Sequence, residues 1–219
     1  MRGLEMGIIP LVALCMLFMG CGMPTADTAL TSAVEKADVT AVKELLAHGA
    51  DPGEMDSHGL TPLIRAARRG DVPVTRALLE AGATVDQRDS FVNGWTALMH
   101  ATHTGRIEIM RALLDAGAEV NAANPHGVTA LLLASGDQSA DIVQLLLDRG
   151  ADPHLCAASG ASPLTNAVAN GRADHVKVLL AKAPDLRLTD SFADSIALLM
   201  ARLRGRGDIL SKTTGQRTP

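Results

Sequence analysis

Apolar pairs recur along the chain at a nearly constant interval. Leu-Leu begins at positions 45, 78, 113, 146 and 179, which gives spacings of 33, 35, 33 and 33 residues. Gly-Ala follows the first four pairs three residues after the Leu-Leu dipeptide ends. A small residue keeps the same register upstream, at Ala33, Ala66, Ala101, Ala134, Ala167 and Ala201. Three markers in one register predict an array of repeats, each packing against its neighbours.

Within each unit, the hydrophobic and polar positions predict two helices. Thr61 supplies a hydroxyl N-cap, and Pro62 occupies the first helical position, where no N–H is lost; Ser162-Pro163 repeats this arrangement. Gly70 ends the first helix and Gly82 the second. The second helix of the third unit carries apolar residues at the spacing of one buried face: Ile107, Met110, Leu113 and Leu114. The pattern predicts an all-α protein built from helix pairs.

The unit "DSHGLTPLIRAARRGDVPVTRALLEAGATVDQ" (56–87) resembles the ankyrin repeat. Three further units follow the same pattern, at 93–122, 125–154 and 159–186, while 28–52 resembles an N-terminal repeat without its opening turn and 196–210 a truncated C-terminal one. The resemblance implies an ankyrin-repeat solenoid over residues 27–210, with about five helix-turn-helix units, β-turn fingers and a truncated C-terminal cap. The polar tail at 211–219 is predicted to be disordered.

Three departures from the repeat pattern carry their own predictions. Gln138 stands where other units have glycine, so the turn between the helices of that unit is predicted to be irregular. Ala183-Pro184 replaces Gly-Ala, which indicates that the regular array is ending. The leading turn of the third unit, "DSFVNG", is two residues longer than "DSHG". Its finger is therefore expected to project further and to carry Phe91 and Val92 outward.

The N-terminal segment reads as a targeting sequence rather than as part of the fold. Residues 7–19, "GIIPLVALCMLFM", form an apolar run of signal-peptide length, and Gly20-Cys21 follows. This ending resembles a bacterial lipobox, which implies a signal peptide over 1–20, acylation of Cys21 with fatty acids such as palmitate, and a short tether over 21–26. Gly22 after Cys21 implies the outer membrane, facing the periplasm, if the host is Gram-negative. An ordinary secretory cleavage site or an uncleaved anchor is the alternative.

Composition narrows the classes of function. Aromatic residues make up 2% of the chain and the net charge is −4, and no basic stripe with interleaved aromatics occurs, so nucleic acid is not an expected partner. Cys15 lies in the removed segment and Cys21 would carry lipid. Cys156 is then left without a cysteine partner, which excludes a disulfide framework in the mature chain. We expect Cys156 to be a small, semi-buried apolar residue.

Two histidines raise the question of a metal site or an enzyme. His100 and His103 lie three residues apart and would share one face of a helix, but their segment offers no third ligand, and no HExxH pattern exists. We expect both to be exposed polar positions on a recognition helix. No G-x-S-x-G elbow occurs, and the Gly-rich "RLRGRGD" lacks a Walker-type ending. Neither an enzyme, a cofactor, a bound metal nor a small-molecule substrate is predicted.

The ankyrin resemblance also implies where a partner would bind. In that family the finger tips, the position before the TPL-type motif and the end of the first helix line a concave contact surface. Trp95, the only tryptophan, holds the second of these positions at the centre of the array, where an aromatic anchor is typical of interfaces. The alternative is that Trp95 covers Phe91 on its own finger. The predicted contact residues are His58, Leu60, Arg68, Arg69, Asn93, Trp95, His103, His126 and Asp137.

These observations favour a non-enzymatic protein–protein interaction module, lipid-anchored in the bacterial cell envelope. One alternative is an accessory or inhibitor protein, such as an immunity protein against a toxin or a protector of a periplasmic enzyme such as a catalase. The other is a metal-binding or enzymatic protein that uses His100 and His103. The sequence does not identify the partner.

Overall fold

A computed structural model describes residues 29–90 and 93–188. This part of the chain is all-α, as the repeat pattern predicts, and contains ten helices: α1 (Ala29–Glu35), α2 (Val39–Ala47), α3 (Pro62–Arg69), α4 (Val72–Glu80), α5 (Ala97–His103), α6 (Ile107–Asp115), α7 (Ala130–Asp137), α8 (Ala140–Asp148), α9 (Pro163–Ala169) and α10 (Ala173–Lys182). The predictions for the signal peptide, Cys21, the tether, Phe91, Val92, the C-terminal cap and the tail lie outside the described residues. Among the ten helices, none has the length and apolar character needed to cross a membrane.

The helices form two layers because each repeat contributes one helix to each layer. Helices α1, α3, α5, α7 and α9 contact one another in sequence and form the first-helix layer. The second helices, α2, α4, α6, α8 and α10, lie on the other side of the array and form what we call the second-helix layer. Within it, α2 contacts α4, α4 contacts α6, and α8 contacts α10. Each repeat therefore buries apolar surface against the next repeat as well as between its own two helices.

The first helices begin at hydroxyl caps. The side chain of Thr61 accepts a hydrogen bond from the backbone N–H of Ile64 at 3.2 Å, and Ser162 accepts one from Thr165 at 3.0 Å, which confirms both predicted caps. Thr96 and Thr129 cap α5 and α7 in the same way. All four capping residues have an extended backbone, so α3, α5, α7 and α9 begin in the same way.

The turns between helices behave as the glycine pattern predicts. Gly70, directly after α3, has a φ of +88°, a left-handed conformation that glycine adopts without a Cβ clash. Gln138 has an extended backbone instead, with φ −81° and ψ 177°, so the predicted irregular turn is confirmed. Its side chain reaches back and donates to the carbonyl oxygen of His103 at 2.9 Å. That bond ties the irregular turn to the preceding repeat.

The core between the layers consists of Ala, Leu, Val and Ile together with Met110. Met110 and Leu113 on α6 are fully buried, as predicted, while Ile107 and Leu114 are half-buried. Ile109, which the predicted stripe omitted, is also buried. Alanines such as Ala66 and Ala101 have no exposed surface, because neighbouring helices approach closely at these positions.

Candidate functional site

Each of the four repeats from the second to the fifth opens with a turn that we call a finger, lettered A to D. The fingers run over 56–60, 89–95, 124–128 and 157–161, and in each the backbone N–H of the first residue donates to the carbonyl of the last, at 2.9–3.0 Å. Successive fingers are also joined. Ser90 N–H donates to the Gly59 carbonyl at 3.0 Å, and the Asn124 amide donates to the Asn93 carbonyl at 3.0 Å. The fingers therefore form one continuous edge beside the first-helix layer.

Three fingers are closed by an Asp or Asn side chain at their first position. Asp56 accepts the N–H groups of His58 and Leu60 at 2.7 and 3.0 Å. Asn124 does the same for finger C with two bonds of 2.9 Å. Finger D begins with Ala157 and has no such side chain. A short acceptor at this position fixes the turn from within, so the finger needs no partner to adopt its shape.

Asp89 accepts more hydrogen bonds than Asn124 and also joins its finger to a helix. Its carboxylate accepts the backbone N–H groups of Asn93, Gly94 and Trp95 at 2.9, 3.0 and 3.1 Å. Its Oδ2 also lies 2.8 Å from Nε2 of His100 on α5. A carboxylate only accepts, so Nε2 of His100 must carry the proton and donate it. The bond fastens finger B to the helix that follows it.

His100 is therefore a buried structural group rather than an exposed one. Only 4% of the residue is exposed, which corrects the expectation that His100 and His103 both face solvent; His103 does. Burial lowers the pKa of His100, and this effect outweighs the hydrogen bond and the charge of Asp89, which raise it. The imidazole is thus held neutral at neutral pH.

The carboxylate of Asp89 is held in its charged form. Burial by itself would raise the pKa of Asp89. The hydrogen bonds from His100 and from the three backbone N–H groups lower the pKa by more than burial raises it, so the net shift is downward. Asp56 follows the same rule, because the bonds from Leu60, Arg65 and His58 outweigh its burial and lower its pKa. Both carboxylates are buried and hydrogen-bonded within their fingers, so neither is available to pair with a partner.

The indole of Trp95 rests on the outer face of α5. Its ring centre lies 5.2 Å from that of His100 and 5.3 Å from that of His103, with interplanar angles of 61° and 66°, so both contacts are edge-to-face. Trp95 is half-buried, and part of the ring stays accessible. The alternative contact with Phe91 lies outside the described residues. The two imidazoles hold the indole in place at the surface.

Most of the predicted contact residues lie on the surface. Trp95 is half-buried, and seven are exposed: His58, Arg68, Arg69, Asn93, His103, His126 and Asp137. Leu60 is the exception, because it is only 3% exposed and belongs to the core cluster. The side chain of Leu60 turns into the core and has almost no exposed surface to offer a partner, which corrects its prediction as a contact residue.

The arginines of α3 differ in how far their charges are neutralised. Arg65 pairs with Asp56 and, at 2.6 Å, with Glu35. Arg69 pairs with Asp71 at 2.8 Å. Arg68 is exposed and has no ion pair with another described residue. The free positive charge of this helix therefore resides at Arg68.

Metal-ligand geometry is not found in this part of the chain. Within residues 29–90 and 93–188, no three His, Cys, Asp or Glu side chains are grouped so that they could hold a metal ion. Cys156 is exposed rather than semi-buried, and its thiol donates to the His154 carbonyl at 3.4 Å. It lies on the loop before finger D, where no helix covers it, so the expectation of a semi-buried residue is corrected.

Comparisons with known proteins agree with this architecture. A family model described as ankyrin repeats matches residues 11–89, 30–124, 85–157 and 122–190. The chain is also similar to the potassium channel AKT1 from Oryza sativa subsp. indica and to that from Oryza sativa subsp. japonica. Each is 35% identical over 75 residues, which is 33% of this chain but 8% of the channel. The similarity to these channels is thus confined to a small part of their length.

Proposed function

Because the chain belongs to the ankyrin-repeat family, we propose that its first-helix layer and fingers bind a partner protein and that it catalyses no reaction of its own. The observation that carries this proposal is the position of Trp95. The only tryptophan of the chain is held edge-to-face between two imidazoles, with part of its ring open to solvent. An aromatic side chain fixed in this way loses little conformational entropy on binding, and such residues dominate the energy of many interfaces.

The residues around Trp95 also support this surface as the binding site. Asn93 and His126 are exposed at the tips of fingers B and C, and His103 is exposed at the end of α5. The backbone N–H groups of Asn93 and His126 donate to the side chains of Asp89 and Asn124, so both residues are held in place before a partner arrives. A pre-ordered surface avoids much of the ordering cost that weakens binding by flexible loops.

Site-specific photo-crosslinking in the host cell tests this proposal. A photoreactive amino acid is placed at His103 or His126 for the first-helix side, and at Arg111 or Lys177 as matched exposed controls on the second-helix layer. We expect a crosslinked partner from the first two positions and none from the controls. Equal crosslinking from both sides, or crosslinking from Arg111 and Lys177 alone, would contradict the proposal.

Trp95→Ala supplies the energetic test. The ring is half-buried and lies outside the core cluster, so the melting temperature should change little. Binding to the crosslinked partner should weaken by about 2 kcal/mol or more, the usual scale for a central aromatic anchor. His103→Ala should have a smaller effect, and a chelator should have none. A variant that unfolds but binds normally when folded would show that Trp95 is structural.

We further propose that the protein is anchored in a bacterial cell envelope through lipid on Cys21. The support is the apolar run at 7–19 followed by Gly20-Cys21. Five residues, 22–26, separate Cys21 from the repeats, a reach of about 17 Å when fully extended, so the array would lie close to the bilayer. Cys21→Ser should abolish incorporation of labelled palmitate, and Cys156→Ser should leave it unchanged. Labelling that persists in Cys21→Ser would contradict the anchor.

A further inference from the structure

The two first helices beside Trp95 contain no acidic residue. Helix α3 reads PLIRAARR and α5 reads ALMHATH, whereas α6 on the second-helix layer carries both Glu108 and Asp115. Asp56 and Asp89, at the first positions of fingers A and B, are both buried and bonded within their fingers. Helices α3 and α5 therefore expose guanidinium and imidazole groups and carry no carboxylate of their own.

Arg68 is the principal free charge of this region. It occupies the position in its repeat that His103 occupies in the next, and α3 packs directly against α5. The charge of Arg68 contributes to the lowered pKa of His100, and the ring of Trp95 contacts that imidazole. Arg68 and Trp95 consequently lie on neighbouring repeats of one surface, and the indole also contacts His103.

Arg88 adds a second cation from the finger side. It is exposed, donates through Nη1 to the carbonyl oxygen of Gly94 at 3.1 Å, and has no ion pair with another residue in the described ranges. Gly94 is the neighbour of Trp95, so Arg88 stands beside the backbone that carries the indole. On the far side of α5, Asp137 at the end of α7 is exposed and places a negative charge at the next repeat.

We infer that the surface formed by Arg68, Arg88, Trp95 and His103 binds an acidic segment of a protein partner. A carboxylate of that segment pairs with the guanidinium of Arg68, and an apolar side chain beside the carboxylate covers the indole of Trp95. A guanidinium is suited to this because its planar fork matches a carboxylate in a bidentate geometry. This inference rests on the proposed function and adds the chemistry of the partner to it.

A peptide-display selection tests the charge of the partner. The full chain is presented with a library of random twelve-residue peptides, and the same selection is run with Arg68→Glu, Trp95→Ala and the matched control Arg111→Glu on α6. We expect wild-type protein to enrich peptides with Asp or Glu beside Leu or Phe. Arg68→Glu should weaken capture of these peptides by about tenfold or more, a factor equivalent to about 1.4 kcal/mol, and Arg111→Glu should not.

The outcomes separate failure of the inference from failure of the proposed function. Enrichment of neutral or basic peptides whose capture requires Trp95 would overturn the acidic specificity and leave the binding face intact. Capture that is insensitive to both Arg68→Glu and Trp95→Ala would overturn both. A single-stranded oligonucleotide is added as a competitor, and tighter, Arg68-dependent binding of that oligonucleotide would assign the surface to nucleic acid instead.

Discussion

His100 donates its Nε2–H to the buried carboxylate of Asp89 over 2.8 Å, and this bond joins a first helix to the finger of its own repeat. One repeat earlier, Arg65 holds the equivalent position and donates to Asp56. A charged donor in one repeat is thus replaced by a neutral one in the next, while the acceptor stays a carboxylate. The replacement makes finger B sensitive to protonation in a range where finger A is not, because arginine does not titrate there.

Stability should fall as the pH is lowered from 7 to 5. Burial lowers the pKa of His100 below its usual 6.5, so below about pH 6.5 the unfolded chain binds a proton that the folded chain resists. A lowered folded-state pKa gives stability that is present above the unfolded value and lost as the pH falls. Urea midpoints for wild type and His100→Gln measure this, since glutamine can donate to Asp89 without titrating. An identical decline in both proteins would contradict the assignment to His100.

At more acidic pH the finger carboxylates should contribute a second loss. The pKa values of Asp56 and Asp89 are both lowered in the folded protein, so their stabilisation is lost as the pH falls through values below 3.8. This second phase has the same sign as the first but lies in a separate pH range. It should persist in His100→Gln, which serves as the internal control.

Removing the Asp89 carboxylate should be far more damaging than removing an exposed one. Asp89→Ala leaves three backbone N–H groups of finger B and the N–H of His100 without their acceptor. Unsatisfied buried donors cost about 1–3 kcal/mol each, and partial hydration leads us to expect a total loss of about 3 kcal/mol. The control is Asp115→Ala, which breaks an exposed ion pair with Arg149 and should cost less than about 1 kcal/mol. Urea denaturation measures both, and similar losses would contradict the role given to Asp89.

A leucine between two repeats should matter more than one in the first repeat. Leu113 on α6 is fully buried, so Leu113→Ala should cost about 2–5 kcal/mol. Leu45 on α2 is half-buried and belongs to a repeat with a described neighbour on one side, so Leu45→Ala should cost less. Equal losses in urea denaturation would count against a linear stack.

Gly127 in finger C should tolerate alanine less well than Gly117 after α6. Both have a positive φ, of 75° and 88°, so both variants carry the left-handed penalty of about 1–2 kcal/mol. At Gly127 an added Cβ would also lie 3.1 Å from the Cα of Ala157 and from the carbonyl oxygen of Cys156, while at Gly117 nothing lies within 4 Å. Thermal melts should therefore place Gly127→Ala below Gly117→Ala. The reverse order would show that fingers C and D are not in contact.

The repeat register in the sequence predicted the helices, their hydroxyl caps and the irregular turn at Gln138, because each depends on residues close together in the chain. It did not predict that His100 is buried, since that depends on the path of finger B and on an acceptor 11 residues away. A signal was available: Asp56, Asp89 and Asn124 recur at spacings of 33 and 35, each 22 to 24 residues before the leucine pair of its repeat. The burial of Leu60 is not predictable in this way either, because the family pattern gives the position in the finger and not the direction of an aliphatic side chain.

Because two imidazoles hold Trp95 at the surface, its fluorescence can report on binding without an added label. With one tryptophan and no tyrosine, ultraviolet emission excited at the indole band arises from a single side chain on finger B. The ring is half-buried, and its exposed part lies beside His103 on the surface proposed to bind a partner. The emission of the unlabelled protein therefore changes when a partner displaces water from the indole.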